Sequence, residues 1–100
     1  MIKTSGYRVS PTEIEEVAYD TGLVRDAVAL GVEDADLGQH VVLVVSPISG
    51  DTVDVDALLA QMRKALPFYM LPRRVDVRLE IPRSPNGKFD RTLLHKELTA

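Results

Sequence analysis

The side chains best suited to chemistry lie near the C-terminal end of the chain, around Lys88. Pro82 and Pro85 stiffen the approach, because a proline ring fixes the backbone φ angle. Asn86-Gly87 readily takes the positive φ angles of a tight turn. Lys88 would project from the tip of that turn as a compact charge with three donors, which suits a phosphate or a carboxylate. A hairpin turn with a solvated lysine explains the same residues, so the pattern leaves both interpretations open.

A second polar segment with a glycine lies near the N-terminus, at positions 2–15. Gly6 permits close approach of the backbone to a ligand, because it has no β-carbon. Arg8 could reach a carboxylate or extend into solvent. The alternative is a flexible turn that leads into a helix, and the residue types do not decide between the two.

Other catalytic and metal-binding patterns are absent from the sequence. A phosphate-binding P-loop that ended in Gly87-Lys88 would need a glycine at position 82, which is proline. The aspartates between positions 51 and 56 lack the glycine and the distal glutamate of a calcium loop. His40 and His95 have no partners at ligand spacing, so we expect structural or surface roles for them. We therefore predict no metal site.

Composition narrows the class of protein further. The chain has 100 residues, of which 45% are hydrophobic and 27% charged, as in an ordinary globular domain. A net charge of −3 gives no basic field for nucleic acid. The absence of cysteine excludes disulfides and a cysteine nucleophile. No apolar run approaches the roughly 18 residues of a membrane span, and the N-terminus has no apolar signal region. We expect one cytoplasmic domain.

Three helices are predicted from their end signals. The residues at 10–13 (SPTE) form a capping box with proline at the first helical position, and Gly22 suits the position just past the helix end. Asp54 can cap a second helix, which Pro67 stops. Asp90 can cap a short final helix.

Three strands are predicted between these helices. Residues 27–32 alternate small and bulky side chains, residues 41–45 form a continuous apolar run, and residues 75–79 alternate apolar with charged. The expected fold is α+β, with a small mixed β-sheet of about three strands. We expect the helices on one face of the sheet, and loops at the N-terminal and C-terminal motifs.

The two polar segments together resemble the C-terminal core motifs of the adenylate-forming superfamily of acyl-CoA synthetases, adenylation domains and luciferases. The first resembles I-K-x-x-G-x-R-[IV]-x-x-x-E-[IV]-E, and the second resembles P-x-[ST]-x-x-G-K-[ILV]-D-R. Between them, positions 69–72 (YMLP) resemble Y-M-[IV]-P, and Phe89 stands where an aliphatic residue is usual. The matching residues of the two longer motifs are Ile2, Lys3, Gly6, Arg8, Val9, Glu13, Ile14, Glu15, Pro82, Ser84, Gly87, Lys88, Asp90 and Arg91.

This resemblance implies that residues 1–100 are the C-terminal lid domain of an AMP-forming acyl-CoA synthetase, a ligase of fatty acid metabolism. Such enzymes convert an acid and ATP to acyl-AMP and then to a thioester, and their small domain rotates between the two steps. It implies that Lys88 is the catalytic lysine of adenylation and that the Gly6 loop lines the pantetheine tunnel. The resemblance also implies substrate-binding roles for Ser5, Tyr7 and Arg8, and supporting roles for Glu13, Gly87, Asp90 and Arg91.

The resemblance implies a large N-terminal domain as partner, which is absent from this sequence. That domain would make most of the contacts to ATP and Mg²⁺. The acceptor would be CoA or the phosphopantetheine of an acyl carrier protein, and the acid is not encoded in these residues. We expect the isolated chain to be inactive, since one lysine without an ATP site cannot position reactants. The alternative is a stand-alone, non-catalytic binding module of the same fold that docks on a separate subunit or a carrier protein.

Overall fold

The computed structural model describes all 100 residues and contains five strands and three α-helices. No helix is both long enough and apolar enough to span a membrane. The strands are β1 (Ile2–Thr4), β2 (Tyr7–Val9), β3 (Asp26–Asp34), β4 (Gly38–Ser46) and β5 (Arg74–Val77). The helices are α1 (Pro11–Asp20), α2 (Val55–Ala65) and α3 (Arg91–Thr99), with a 3₁₀ turn at Phe68–Met70.

The strands form one mixed sheet in the order β2-β1-β4-β3. β3 pairs with β4 in antiparallel fashion along its whole length, whereas β5 pairs with the opposite edge of β4 in parallel. This arrangement confirms the prediction of an α+β fold with a small mixed sheet. The sheet has more than the predicted three strands, because the N-terminal segment is not a loop but an antiparallel hairpin of β1 and β2.

Helices cover both faces of the sheet, so the expectation of helices on one face is wrong. α1 and α2 pack over the face that carries the small side chains of Ala27 and Ala29. α3 packs on the other face, over Val28 and Leu30. The continuous apolar run at 41–45 is buried on both sides, as expected for a strand between two apolar layers.

The three helices begin and end near the predicted residues. Asp54 and Asp90 each accept a hydrogen bond from the backbone N–H three residues on, at 3.1 Å and 3.0 Å. Gly22 lies just beyond the end of α1 with a φ of +71°. Ser10 occupies the N-cap of α1, but its side chain makes no capping hydrogen bond, so the predicted capping box is not formed.

The third predicted strand is shorter than its alternating pattern. β5 ends at Val77, which is the last of its four residues that pair with β4. Leu79 lies beyond the sheet and is 58% exposed. The alternation continues for two residues beyond the last pair, Val45 with Val77, so the sequence pattern alone overestimates the strand.

Candidate functional site

The sequence correctly predicts a tight turn next to Lys88, but the tip of that turn is formed by residues 85–87, and Lys88 lies on the arm that follows it. The flanking residues Arg83 and Phe89 form an antiparallel bridge. Across the turn, the N–H of Ser84 donates to the carbonyl of Lys88 at 2.7 Å, and that of Gly87 donates to the carbonyl of Ser84 at 2.9 Å. Gly87 has a φ of +85°, a conformation that glycine adopts without the strain a β-carbon brings.

Side chains stiffen this turn but leave the lysine itself free. The guanidinium group of Arg83 donates to the carbonyl of Gly87 at 2.8 Å and lies 4.2 Å from the centre of the Phe89 ring. The hydroxyl of Ser84 donates to the carbonyl of Lys88 at 3.2 Å. Lys88 is exposed and is absent from the ion pairs of the chain. Its ammonium group is therefore available to an anionic ligand.

The Gly6 turn is the tip of the β1–β2 hairpin. Thr4 pairs with Tyr7, and the two residues between them have φ angles of +54° at Ser5 and +83° at Gly6. Two positive φ angles in a two-residue loop define the turn type that matches the twist of a hairpin. A β-carbon on Gly6 would meet no atom of this chain within 4 Å, so the turn tip faces open space.

The first segment also contacts the YMLP segment. The ring of Tyr7 stacks on that of Tyr69, with 3.8 Å between ring centres and an angle of 7° between the planes. Phe68 packs edge-on against Tyr69 and is 75% exposed. Beyond the presence of the three rings, no pattern in the sequence indicates this aromatic stack.

The two turns are anchored on opposite faces of the sheet. Ile2 and Val9, which flank the Gly6 turn, belong to the core beneath α1 and α2. Phe89, which follows Lys88, packs against the core beneath α3. The open cleft around Lys88 is lined only by residues 83–92, so it contains nothing from the first segment. The structure thus does not bring the predicted site residues together in one place.

One contact does connect the two motifs, and sequence reasoning missed it. The carboxylate of Glu15 accepts from the guanidinium group of Arg91 at 2.8 Å and from the N–H of Ala29 at 2.8 Å. Arg91 also donates to the carbonyl of Ala29 at 3.0 Å. In the sequence, Glu15 is notable only because it matches the first motif, and its partner Arg91 lies 76 residues away. The pair fixes the start of α3, three residues after Lys88.

Replacing Glu15 with glutamine should lower the free energy of unfolding of the chain by about 0.5–1 kcal/mol. The amide oxygen can still accept from Ala29, but the charge opposite Arg91 is lost. Urea unfolding measures the difference. Glu16→Gln is the matched control, because Glu16 is the exposed neighbour on α1 and takes part in no ion pair. Equal stability of the two variants would show that the ion pair contributes nothing.

Other predicted residues lie on the surface without such contacts. Arg8 and Glu13 are exposed, and neither forms an ion pair within the chain. Their predicted roles beside the Gly6 turn remain predictions. His40 lies 3.0 Å from Asp34, and His95 lies 3.1 Å from Glu33.

Hydrogen bonds shift the pKa values of three groups, Glu33, Asp34 and Arg78, and none of the three belongs to the Lys88 turn. The side chain of Glu97 holds the pKa of Arg78 above its usual range, and Asp76 adds to the effect. The N–H of Asp36 lowers the pKa of Asp34, with further contributions from Leu37 and other partners. No group of three or more His, Cys, Asp or Glu side chains lies close enough together to hold a metal ion.

Fold and site together define a class: a small α+β domain with a lysine turn and a glycine turn anchored on opposite faces of its sheet. The chain belongs to the family of AMP-binding enzyme C-terminal domains, whose family model matches residues 13–88. The predicted resemblance to adenylate-forming enzymes is thereby confirmed.

Relatives of known activity include both ligases and synthases. The long-chain-fatty-acid–CoA ligase of Salmonella typhimurium is 37% identical over 97 residues, which are 97% of this chain and 17% of that protein. A plipastatin synthase of Bacillus subtilis is 39% identical over 93 residues, which are 93% of this chain and 4% of that protein. The proteins to which this chain is similar are therefore not confined to CoA ligases.

Solved structures show the same fold. The amide bond synthetase McbA from Marinactinospora thermotolerans matches 96% of this chain with a TM-score of 0.88 and 32% identity. ATP-bound MatB from Rhodopseudomonas palustris matches 97% with a TM-score of 0.90 and 28% identity. Each match covers 19% of the solved chain, so this sequence spans less than a fifth of these relatives.

Proposed function

We propose that residues 1–100 form the C-terminal domain of an AMP-forming acyl-CoA synthetase and act with a large N-terminal domain. In the first half-reaction, a carboxylate oxygen attacks the α-phosphorus of ATP and pyrophosphate leaves. In the second, a thiol attacks the acyl carbonyl carbon and AMP leaves. The observation that carries the proposal is the anchoring of the Lys88 and Gly6 turns on opposite faces of one sheet. A domain of this form can present a different turn in each step by rotating.

Lys88 serves the first half-reaction in this proposal. Its free ammonium group, held on a stiff turn, contacts the carboxylate and the phosphate oxygens as negative charge gathers between them. Fixed charge of this kind can contribute about 3–4 kcal/mol to the transition state, or 10²–10³ in rate. Gly87 shapes the turn, while Asp90 and Arg91 hold the start of α3 behind it.

The Gly6 turn serves the second half-reaction. Its tip has open space around it in this chain, and glycine leaves room for the pantetheine arm of the acceptor. Ser5, Tyr7 and Arg8 flank that arm, and Glu13 supports the turn from the start of α1. The thiol belongs to CoA or to phosphopantetheine on a carrier protein, and ATP and Mg²⁺ bind mainly to the large domain.

The coding sequence upstream of Met1, read in frame, tests the proposal. An open frame that supplies the remaining four fifths of a ligase supports it, and the full-length product should then catalyse ATP–pyrophosphate exchange that depends on a carboxylic acid. We expect no exchange from the 100-residue chain alone, because it cannot position both reactants. A stop codon just ahead of Met1, or exchange by the isolated chain, would contradict the proposal.

A further inference from the structure

The carboxylate of Asp34, at the end of β3, has four polar partners although its side chain is only 11% exposed. One oxygen accepts from the N–H groups of Asp36 and Leu37, at 2.9 Å and 3.1 Å. The other oxygen lies 3.0 Å from Nδ1 of His40 and accepts from the guanidinium group of Arg73. A nearly buried carboxylate with this many partners fixes the segments that supply them.

The first segment fixed in this way is the turn between β3 and β4, which carries the Gly6 hairpin. The carbonyl of Leu37 accepts from the N–H of Ser5 at 3.0 Å, immediately before Gly6. Gly38, with a φ of +85°, allows a close approach, since a β-carbon there would lie 3.3 Å from the carbonyl oxygen of Lys3. The hairpin tip therefore takes its position from the turn that Asp34 holds.

The second segment runs from the 3₁₀ turn to β5 and contacts the same hairpin through Tyr69. Arg73 is anchored by its side chain on Asp34 and by its N–H, which donates to the carbonyl of Val41 at 2.8 Å. Four residues earlier, Tyr69 stacks on Tyr7. Asp34 is thus connected, through Leu37 and through Arg73, to two of the contacts that hold the Gly6 turn: the Leu37 carbonyl and the Tyr69 ring.

We propose that Asp34 is a positioning residue for the Gly6 turn, acting through Leu37 and through Arg73. The inference rests on the proposed function only where it concerns thioester formation. The charge of the carboxylate matters as well as its shape. Asparagine could keep the bonds to the turn with its oxygen, but its NH₂ group would then face the guanidinium group of Arg73, donor against donor.

Amide hydrogen exchange in the 100-residue chain tests the positioning itself. Asp34→Asn should speed exchange at Ser5 by a factor of about ten, as the loss of a hydrogen bond to a charged group predicts. Ser84, whose N–H holds the Lys88 turn, should keep its exchange rate. Asp36→Asn is the matched control, because Asp36 is exposed in the same turn and its side chain makes no hydrogen bond there. An equal rise at Ser5 and Ser84, or none at Ser5, would overturn the inference.

Half-reaction kinetics in the full-length enzyme separate this inference from the proposed function. Asp34→Asn should slow thioester formation from supplied acyl-AMP by about tenfold. The loss should appear as a lower kcat for this step, while the rate of acyl-adenylate formation is unchanged. Faster exchange at Ser5 with normal thioester formation would refute the role of the Gly6 turn but leave Asp34 as its positioning residue. Equal slowing of both half-reactions would assign Asp34 a general structural role and overturn the inference.

Discussion

Replacement of Lys88 by alanine in the full-length enzyme should slow acyl-adenylate formation by about 10²–10³. Thioester formation from supplied acyl-AMP should stay close to the rate of the unchanged enzyme. The reason is that the ammonium group stabilises charge that gathers only while the carboxylate attacks the phosphorus. ATP–pyrophosphate exchange measures the first step, and release of AMP from acyl-AMP and the thiol measures the second.

Lys96→Ala is the matched control for this experiment. Lys96 is also exposed, and it lies in the last turn of α3, away from the Lys88 turn. Its replacement removes the same charge from the domain, so any effect of net charge on association with the large domain should appear in both variants. An equal loss in both half-reactions for Lys88→Ala would remove the assignment of this lysine to adenylation.

The Lys88 turn was predictable because its signals are local. Pro82, Pro85 and Asn86-Gly87 limit the backbone within a few residues, and the structure forms a turn there with a positive φ at Gly87, although not at Asn86. The caps at Asp54 and Asp90 were predictable for the same reason, since a short carboxylate reaches N–H groups within its own segment.

The N-terminal hairpin was not predictable from local signals. Ser5-Gly6 is a weaker turn signal than Asn-Gly, and β1 and β2 have only three residues each. These short strands are held by long-range contacts, such as Ser5 with Leu37 and Lys3 with the side chain of Gln39. The ion pair of Glu15 with Arg91 was not predictable for the same reason. The two residues are distant in sequence, and each alone resembles a solvated charge.

The burial of the sheet on both faces follows from the apolar run of β4. The continuous run at 41–45 predicted a buried strand, and a strand without polar positions has no face for water. A second helical layer is then required, and α3 supplies it. The Lys88 turn is anchored in this second layer and the Gly6 turn in the first, so the opposition of the two turns follows from the burial of β4 on both faces.

Replacement of Gly6 by leucine should have the reverse effect of the Lys88 change. Thioester formation should fall by about 10²-fold, as expected when a reactant is displaced by an ångström or more, while acyl-adenylate formation is retained. The isobutyl group would project from the hairpin tip into the space proposed for the pantetheine arm. The two half-reaction assays used for Lys88 measure this directly.

The substitution at Gly6 also strains the backbone, and a control must remove that effect. A side chain at a positive φ costs roughly 1–2 kcal/mol wherever it occurs. Gly50→Leu provides the match, because Gly50 has a φ of +67° and a β-carbon there meets no atom within 4 Å. Both variants should lose similar stability in urea unfolding, whereas only Gly6→Leu should lose thioester formation. A normal thioester rate in Gly6→Leu would show that this turn does not line the path of the thiol.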